Sequence, residues 1–166
     1  MQQVRPHLEY AVAAWSPYLQ HDIDVLEDVQ QRAVAAITTI RGTYEEKLAA
    51  MNLPTLVNRR ARGDLIETFK IVNGLDRVNP DKFFTKSAGS HPHATRSTTV
   101  IDGGISEDTL NFVKPLSRLA LRRNFFSQRV VNPWNSLPHE VKTVNSLNAF
   151  KNSLDKHLTN SRTAQP

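Results

Sequence analysis

The sequence predicts a mainly α-helical chain with a long central loop and at most one or two short strands. Three observations lead there. Apolar residues recur at helical spacing through most of residues 5–73, cap and stop residues punctuate those stretches, and Thr98 to Ile101 is the only short β-branched run.

Pro6 sits where a first helical turn tolerates a missing N–H, so a helix is expected over about Arg5 to Trp15. Leu8, Val12 and Trp15 would share its apolar face, and Ser16-Pro17 would end it. The next helix takes Asp22 as N-cap, with Asp24, Glu27 and Asp28 set against the positive helix end. Ile23, Leu26, Val29 or Gln30, Ala33, Ile37 and Ile40 follow at helical spacing, and Arg41-Gly42 closes the run. Thr43-Tyr44-Glu45-Glu46 has capping-box spacing and opens a short helix through Met51. From Pro54 a helix runs to Asn73-Gly74, its inward stripe holding Leu56, Leu65, Phe69 and Val72, with Ile66 at the edge. Gly63 within it costs about 1 kcal/mol relative to alanine, which points to close packing of another backbone.

Residues 75–118 read as a loop-rich linker. Asn79-Pro80-Asp81 and Asp102-Gly103-Gly104 are turn chemistry, and Ser87 to His93 is loop-like. Helix returns over residues 119–159, first around Phe125 to Val131, with Pro133 interrupting it or at its edge. The last helix is capped by Asn145 or Ser146 and runs through His157, with Leu147, Phe150 and Leu154 inward. This C-terminal segment is expected to pack on the same core as the helical segment 1–74, and residues 160–166 form a disordered tail.

Composition removes several classes of function. At 166 residues, one core is expected. The absence of cysteine excludes disulfides, thiol catalysis and cysteine-based zinc sites. No apolar run approaches the roughly 18 residues of a membrane span, and residues 1–10 lack the apolar core of a secretory signal. An intracellular location, nucleus or cytoplasm, is therefore expected, with no membrane partner. Charge is unevenly spread: residues 1–58 carry 4 basic and 7 acidic side chains, residues 59–109 carry 8 and 7, and residues 110–166 carry 9 and 2. A basic C-terminal third calls for an acidic partner, nucleic acid first, against the simpler reading of a solvated basic surface.

Enzymatic constellations are thin. Asp22 and Asp24 point to different sides of a helix, which suits cap and dipole roles better than a metal site. Asp102 and Asp108 fall in a turn-rich loop, His91 and His93 lack further ligands, and Gly103-Gly104 lacks the lysine of a phosphate loop. Two basic clusters carry the positive case. Arg59, Arg60 and Arg62 lie within one helical turn, with Lys70 further along. Arg118, Arg122 and Arg123 form the second group, with Lys114 before it and Arg129 after it. Guanidinium forks suit phosphate oxygens, and phosphate contacts need no sequence reading. The competing reading has Asp64 and Glu67 neutralising the first cluster. Trp15, Trp134, Phe125, Phe126 and Phe150 are expected in the core rather than stacked on bases.

Several tracts carry a resemblance. They are Val4-Arg5-Pro6-His7-Leu8-Glu9-Tyr10-Ala11 with Trp15-Ser16-Pro17, Asp22 to Glu27 with Val29 to Ala33, and Tyr44 to Leu48. Arg59 to Glu67, Asn124 to Val131 with Trp134-Asn135-Ser136-Leu137-Pro138, and Ser146 to Lys151 complete the set. In this order, over about residues 4–158, the chain resembles the C-terminal part of reverse transcriptases from LINE-type (non-LTR) retrotransposons of the jockey-like group. The resemblance implies a helical, thumb-like bundle and the segment after it, downstream of a palm whose paired aspartates bind two magnesium ions. Neither the palm's Tyr-x-Asp-Asp tract nor the fingers nor an endonuclease is present, so no catalytic residue, cofactor or metal is expected on this chain. Residues Ala94 to Thr98 only partly follow the family's Arg-Thr-Arg-Gly-like stretch, and Asp102 to Leu110 looks like an insertion.

The expectation is therefore a polymerase fragment that is not itself an enzyme. It would hold an RNA–DNA or DNA duplex through Arg59, Arg60, Arg62, Lys70, Lys114, Arg118, Arg122, Arg123 and Arg129. The alternative is a structural or interaction remnant whose apolar faces once packed on the palm. Its partners would be the rest of a reverse transcriptase or a second copy.

Overall fold

In the N-terminal unit, Met1–Asp64, a non-glycine residue in the left-handed region decides how the chain starts. The first helix, α1 (Val4–Glu9), stops well short of Trp15, because Ala11 adopts a φ of 50°. The Ala14 and Trp15 N–H groups both return to the Ala11 carbonyl, closing a turn where a helix was expected. Val12 is buried, but Trp15 remains 43% exposed and donates its indole N–H to the Tyr10 carbonyl. The computed structural model describes residues 4–37, 41–87 and 110–163.

The second helix, α2 (Gln20–Ala35), begins after Leu19, which caps it without a side-chain bond. Asp22 lies inside the first turn instead, where its charge opposes the helix dipole. Ile40 lies outside the described residues. Thr43 caps α3 (Tyr44–Ala50) with the full reciprocal box, its hydroxyl accepting from the Glu46 N–H while Glu46 accepts from the Thr43 N–H. Gly42 precedes it at a φ of 129°, where a Cβ would also collide with the Glu46 carboxylate. The helix ends in a Schellman pattern: Asn52 takes a φ of 49°, and Leu53 N–H reaches the Leu48 carbonyl.

Glu27 then ties three elements of this unit together. One carboxylate oxygen accepts from the Tyr44 hydroxyl, and the other accepts from the Leu56 N–H at the start of α4 (Leu56–Val72). Gln30, buried beside them, donates to the Tyr44 oxygen and the Pro54 carbonyl. Burial, and then the bond to Glu27, push the Tyr44 phenol up to about 12.

The compact units divide between residues 64 and 65, inside α4, whereas the segment boundary drawn at 74 marks the end of that helix. The second unit, Leu65–Pro166, is organised around aromatic rings. Phe69 stacks on Phe150 with centroids 4.2 Å apart, Trp134 lies beside Phe150, and Phe112 stacks between Trp134 and Phe84, which meets Phe126 edge-on. Each such pair adds about 0.5–1.5 kcal/mol beyond area burial. Helix α4 ends with Gly74 at a φ of 67°, and Leu75 N–H closes back on the Lys70 carbonyl. Asn79 accepts from the Asp81 N–H to start a 3-10 turn, Pro80–Lys82.

Strands β1 (Thr85–Lys86) and β2 (Phe112–Val113) pair antiparallel, with Lys86 opposite Phe112. The strand expected at Thr98 to Ile101 and the turn at Asp102 to Gly104 lie outside the described residues. The free edge of β2 is met by a side chain: Asn135 accepts from the Phe112 N–H and donates to its carbonyl, both at 2.9 Å. Trp134 adds its indole N–H to the Leu110 carbonyl, and buried Lys142 donates to Asn111 and to the Asn135 carbonyl.

Where one helix around Phe125 to Val131 was expected, the chain makes short ones: α5 (Ala120–Arg123), α6 (Phe126–Arg129), α7 (Val131–Asn135) and α8 (His139–Lys142). Pro133 falls in the first turn of α7, where its missing N–H leaves no intrahelical bond unmade. Ser146 caps α9 (Leu147–Thr163) by accepting from the Ala149 N–H. Phe150 and Leu154 are fully buried, and the helix runs six residues past His157, into the stretch expected as tail. The architecture is mainly helical with one two-stranded sheet among the described residues.

Two outcomes test this packing. Tyr44 holds its proton more tightly folded than unfolded, so the stability it contributes is complete below pH 10 and is lost as pH rises from about 10 to about 12. Tyr44→Phe should flatten the fall in melting temperature over that window and remove the tyrosinate absorbance phase at about 12. At Gly63 an added Cβ would meet only the Val12 side chain, at 3.9 Å, so a side chain rather than a backbone is the neighbour. Gly63→Ala should therefore stabilise by about 0.5–1 kcal/mol in urea unfolding, and a loss would disprove the open packing.

Candidate nucleic-acid interface

Helix α4 presents its arginines inward. Arg60 is only 5% exposed; its guanidinium donates to the Leu8 carbonyl at 2.6 Å and lies 4.3 Å from the centroid of the Trp15 ring. Arg59 pairs with Glu9, and its side chain is 17% exposed. Arg62 is half-buried and engaged within the fold. The expectation of an outward phosphate-binding face on this turn is thereby corrected for Arg59 and Arg60. The physical reason is a second buried line on α4, through Arg60, Asp64, Thr68 and Ile71, beside the apolar line through Leu65 and Phe69. An amphipathic reading of the sequence places those polar residues in water; the fold encloses them. The acid that meets Arg59 is Glu9, while Glu67 meets Lys70 at 2.9 Å and, through that bond, holds the lysine pKa above its usual value.

The second cluster is arranged differently. Lys114, Arg118, Arg122 and Arg123 are all exposed, and none enters an ion pair among the described residues. Arg118 precedes α5, so it stands outside the helix that carries Arg122 and Arg123. Arg122 and Arg123 occupy the last turn of α5, where a cation also meets the negative helix end. Arg129 turns back instead, donating to the Asn124 carbonyl with its guanidinium 5.9 Å from the centroid of the Phe126 ring. It is half-buried where the other four are exposed.

Between these cations stand Leu116, Leu119, Leu121 and Phe125, all exposed. Phe125, at 53%, and Trp15 both depart from the expected core, whereas Trp134, Phe126 and Phe150 are buried as their patterning predicts. The leucines at 116, 119 and 121 were missed as surface features. Their spacing fits neither a helical face nor a strand alternation, and that irregularity is the signal that would have found them. Residues 114–125 thus form an exposed strip in which basic and apolar side chains interleave.

Among the described residues, no three His, Asp or Glu side chains come together to hold a metal ion, and no helix is long and apolar enough to cross a membrane. His91, His93, Asp102, Asp108 and the stretch Ala94 to Thr98 lie outside those residues. Comparison with protein-family models, curated proteins and solved structures gives no match.

The two clusters should separate under mutation. Arg60→Ala removes a sealed cation from its acceptors and should cost roughly 2–4 kcal/mol in chemical denaturation. Arg122→Ala should leave the melting midpoint unmoved. Equal effects at both positions would contradict the inward–outward division.

Proposed function

We propose that the chain is a fragment of a non-LTR retrotransposon reverse transcriptase that lacks the palm and keeps sequence-independent binding of an RNA–DNA or DNA duplex. The resemblance in sequence to the thumb and following segment of the jockey-like group supplies the family. Lys114, Arg118, Arg122 and Arg123, exposed and without an acidic partner among the described residues, are the observation that carries the binding. Such cations neutralise phosphates and release counterions without reading bases. Of the wider set, Arg59, Arg60 and Arg129 support the scaffold. Polymerisation would belong to the palm and its magnesium ions, so this chain by itself acts as a binder and not as an enzyme.

A second reading, a remnant that only packed on the palm, is favoured by a different observation: Leu116, Leu119 and Leu121 stand in water. Salt titration separates the two. Four phosphate contacts give a slope of log K against log salt of about −3 to −4 on B-DNA, and Arg122→Ala with Arg123→Ala should reduce its magnitude by about 2. Duplexes of unrelated sequence should bind alike. Absence of binding to any duplex at low salt would leave the remnant reading.

A further inference from the structure

The strip at 114–125 offers more than phosphate contacts require. Its four cations are matched by four large apolar side chains, Leu116 being fully exposed. Together these leave on the order of a few hundred Å² of apolar surface in water, the size at which such a patch commonly marks an interaction site. A duplex backbone would satisfy the cations and leave the leucines wet. An occupant that satisfies both must carry acids and apolar groups on one face.

Such a face exists on this chain. On the outer side of α2, Asp22, Val25 and Asp28 are all exposed at successive three-residue spacings, and exposed Leu19 stands just before the helix. Neither aspartate enters an ion pair among the described residues. Asp22, Val25 and Asp28 are thus left uncovered among the described residues, while α2 buries its other side through Gln30 and Val34.

We infer that the chain self-associates head to tail, the acidic and apolar outer face of α2 in one copy seating on the basic and apolar strip 114–125 of the next. The two surfaces differ, so the contact is heterologous: one copy is left with its strip and the other with its α2 face for a further neighbour. With so small an area the assembly is weak and falls in the micromolar to millimolar range.

Analytical ultracentrifugation of nuclease-treated full-length chain, from about 10 to about 500 μM at low salt, reads this association directly. The weight-average mass should rise with concentration. The rise should be lost on going from about 0.1 to about 1 M salt, which shortens the Debye length from roughly 10 to roughly 3 Å. R122E/R123E and D22K/D28K should each weaken association at least tenfold while keeping wild-type circular dichroism. Mixed in equal amounts, the two variants should associate again, because every contact between unlike copies then joins opposite charges. A wild-type chain that stays monomeric overturns the inference, even if it binds duplex through the same cations. So does a mixture that stays monomeric, or an association that nuclease abolishes.

Discussion

The Arg60 guanidinium is a cation almost sealed from water, and such a group is tolerable only where acceptors are already in place. They come from the break after α1. A helix running on to Trp15 would have spent the Leu8 carbonyl on its own ladder; the left-handed turn at Ala11 leaves it for Arg60 and folds Trp15 under the same guanidinium. Glu9, at the end of α1, pairs with Arg59 one residue away. The early stop, the exposed indole and the loss of two arginines from the surface are therefore one arrangement. It turns Arg59 and Arg60 toward acceptors within the fold.

In the second unit the anchoring falls on either side of the basic strip. Asn135 completes the edge of β2 with both of its amide groups, which spares a third strand, and Trp134 and Lys142 hold residues 110 and 111. Downstream, Phe126, Val130 and Val131 are buried among the rings. Residues 114–125 are thus fastened at both ends while their own side chains face water. Fixing the ends lowers the conformational entropy a partner must remove on binding. The tract Trp134-Asn135, prominent in the sequence, acquires a physical role as the clasp that positions the strip.

Much of this was legible in the residues. The capping box at Thr43, the glycine stop at Gly74, the tolerated Pro133 and the buried line through Phe150 and Leu154 follow from local chemistry and helical period. What escaped depends on tertiary context. Helical spacing of Leu8, Val12 and Trp15 cannot announce that Ala11 will enter the left-handed region. Polar Arg60, Asp64 and Thr68 read as a solvated face because their partners are far away in sequence. Two-residue strands such as Thr85–Lys86 carry too few side chains for an alternation to register. Of the candidate site, the cations at 114, 118, 122 and 123 were visible from charge alone, but the inward turn of Arg129 and Arg59 was not.

The excess charge of the C-terminal third is consequently concentrated. Lys142 is buried and Arg129 turned inward, so residues 114–123 carry four of its nine cations in one exposed stretch. Fully extended, that stretch would span about 30 Å, and the α5 turn shortens it, so neighbouring cations fall near one Debye length at physiological salt. They act on a polyanion jointly and on a monoanion hardly at all. Charge of this kind would suit a phosphate backbone or an acidic helix alike, without deciding between them. The leucines decide. Covering apolar surface contributes about 25 cal/mol per Å², a gain open to a face carrying Val25 and Leu19 and closed to a row of phosphates. As proposed, a duplex and a second copy of the chain would draw on the same cations and exclude one another, and only the second would draw on the apolar half of the strip.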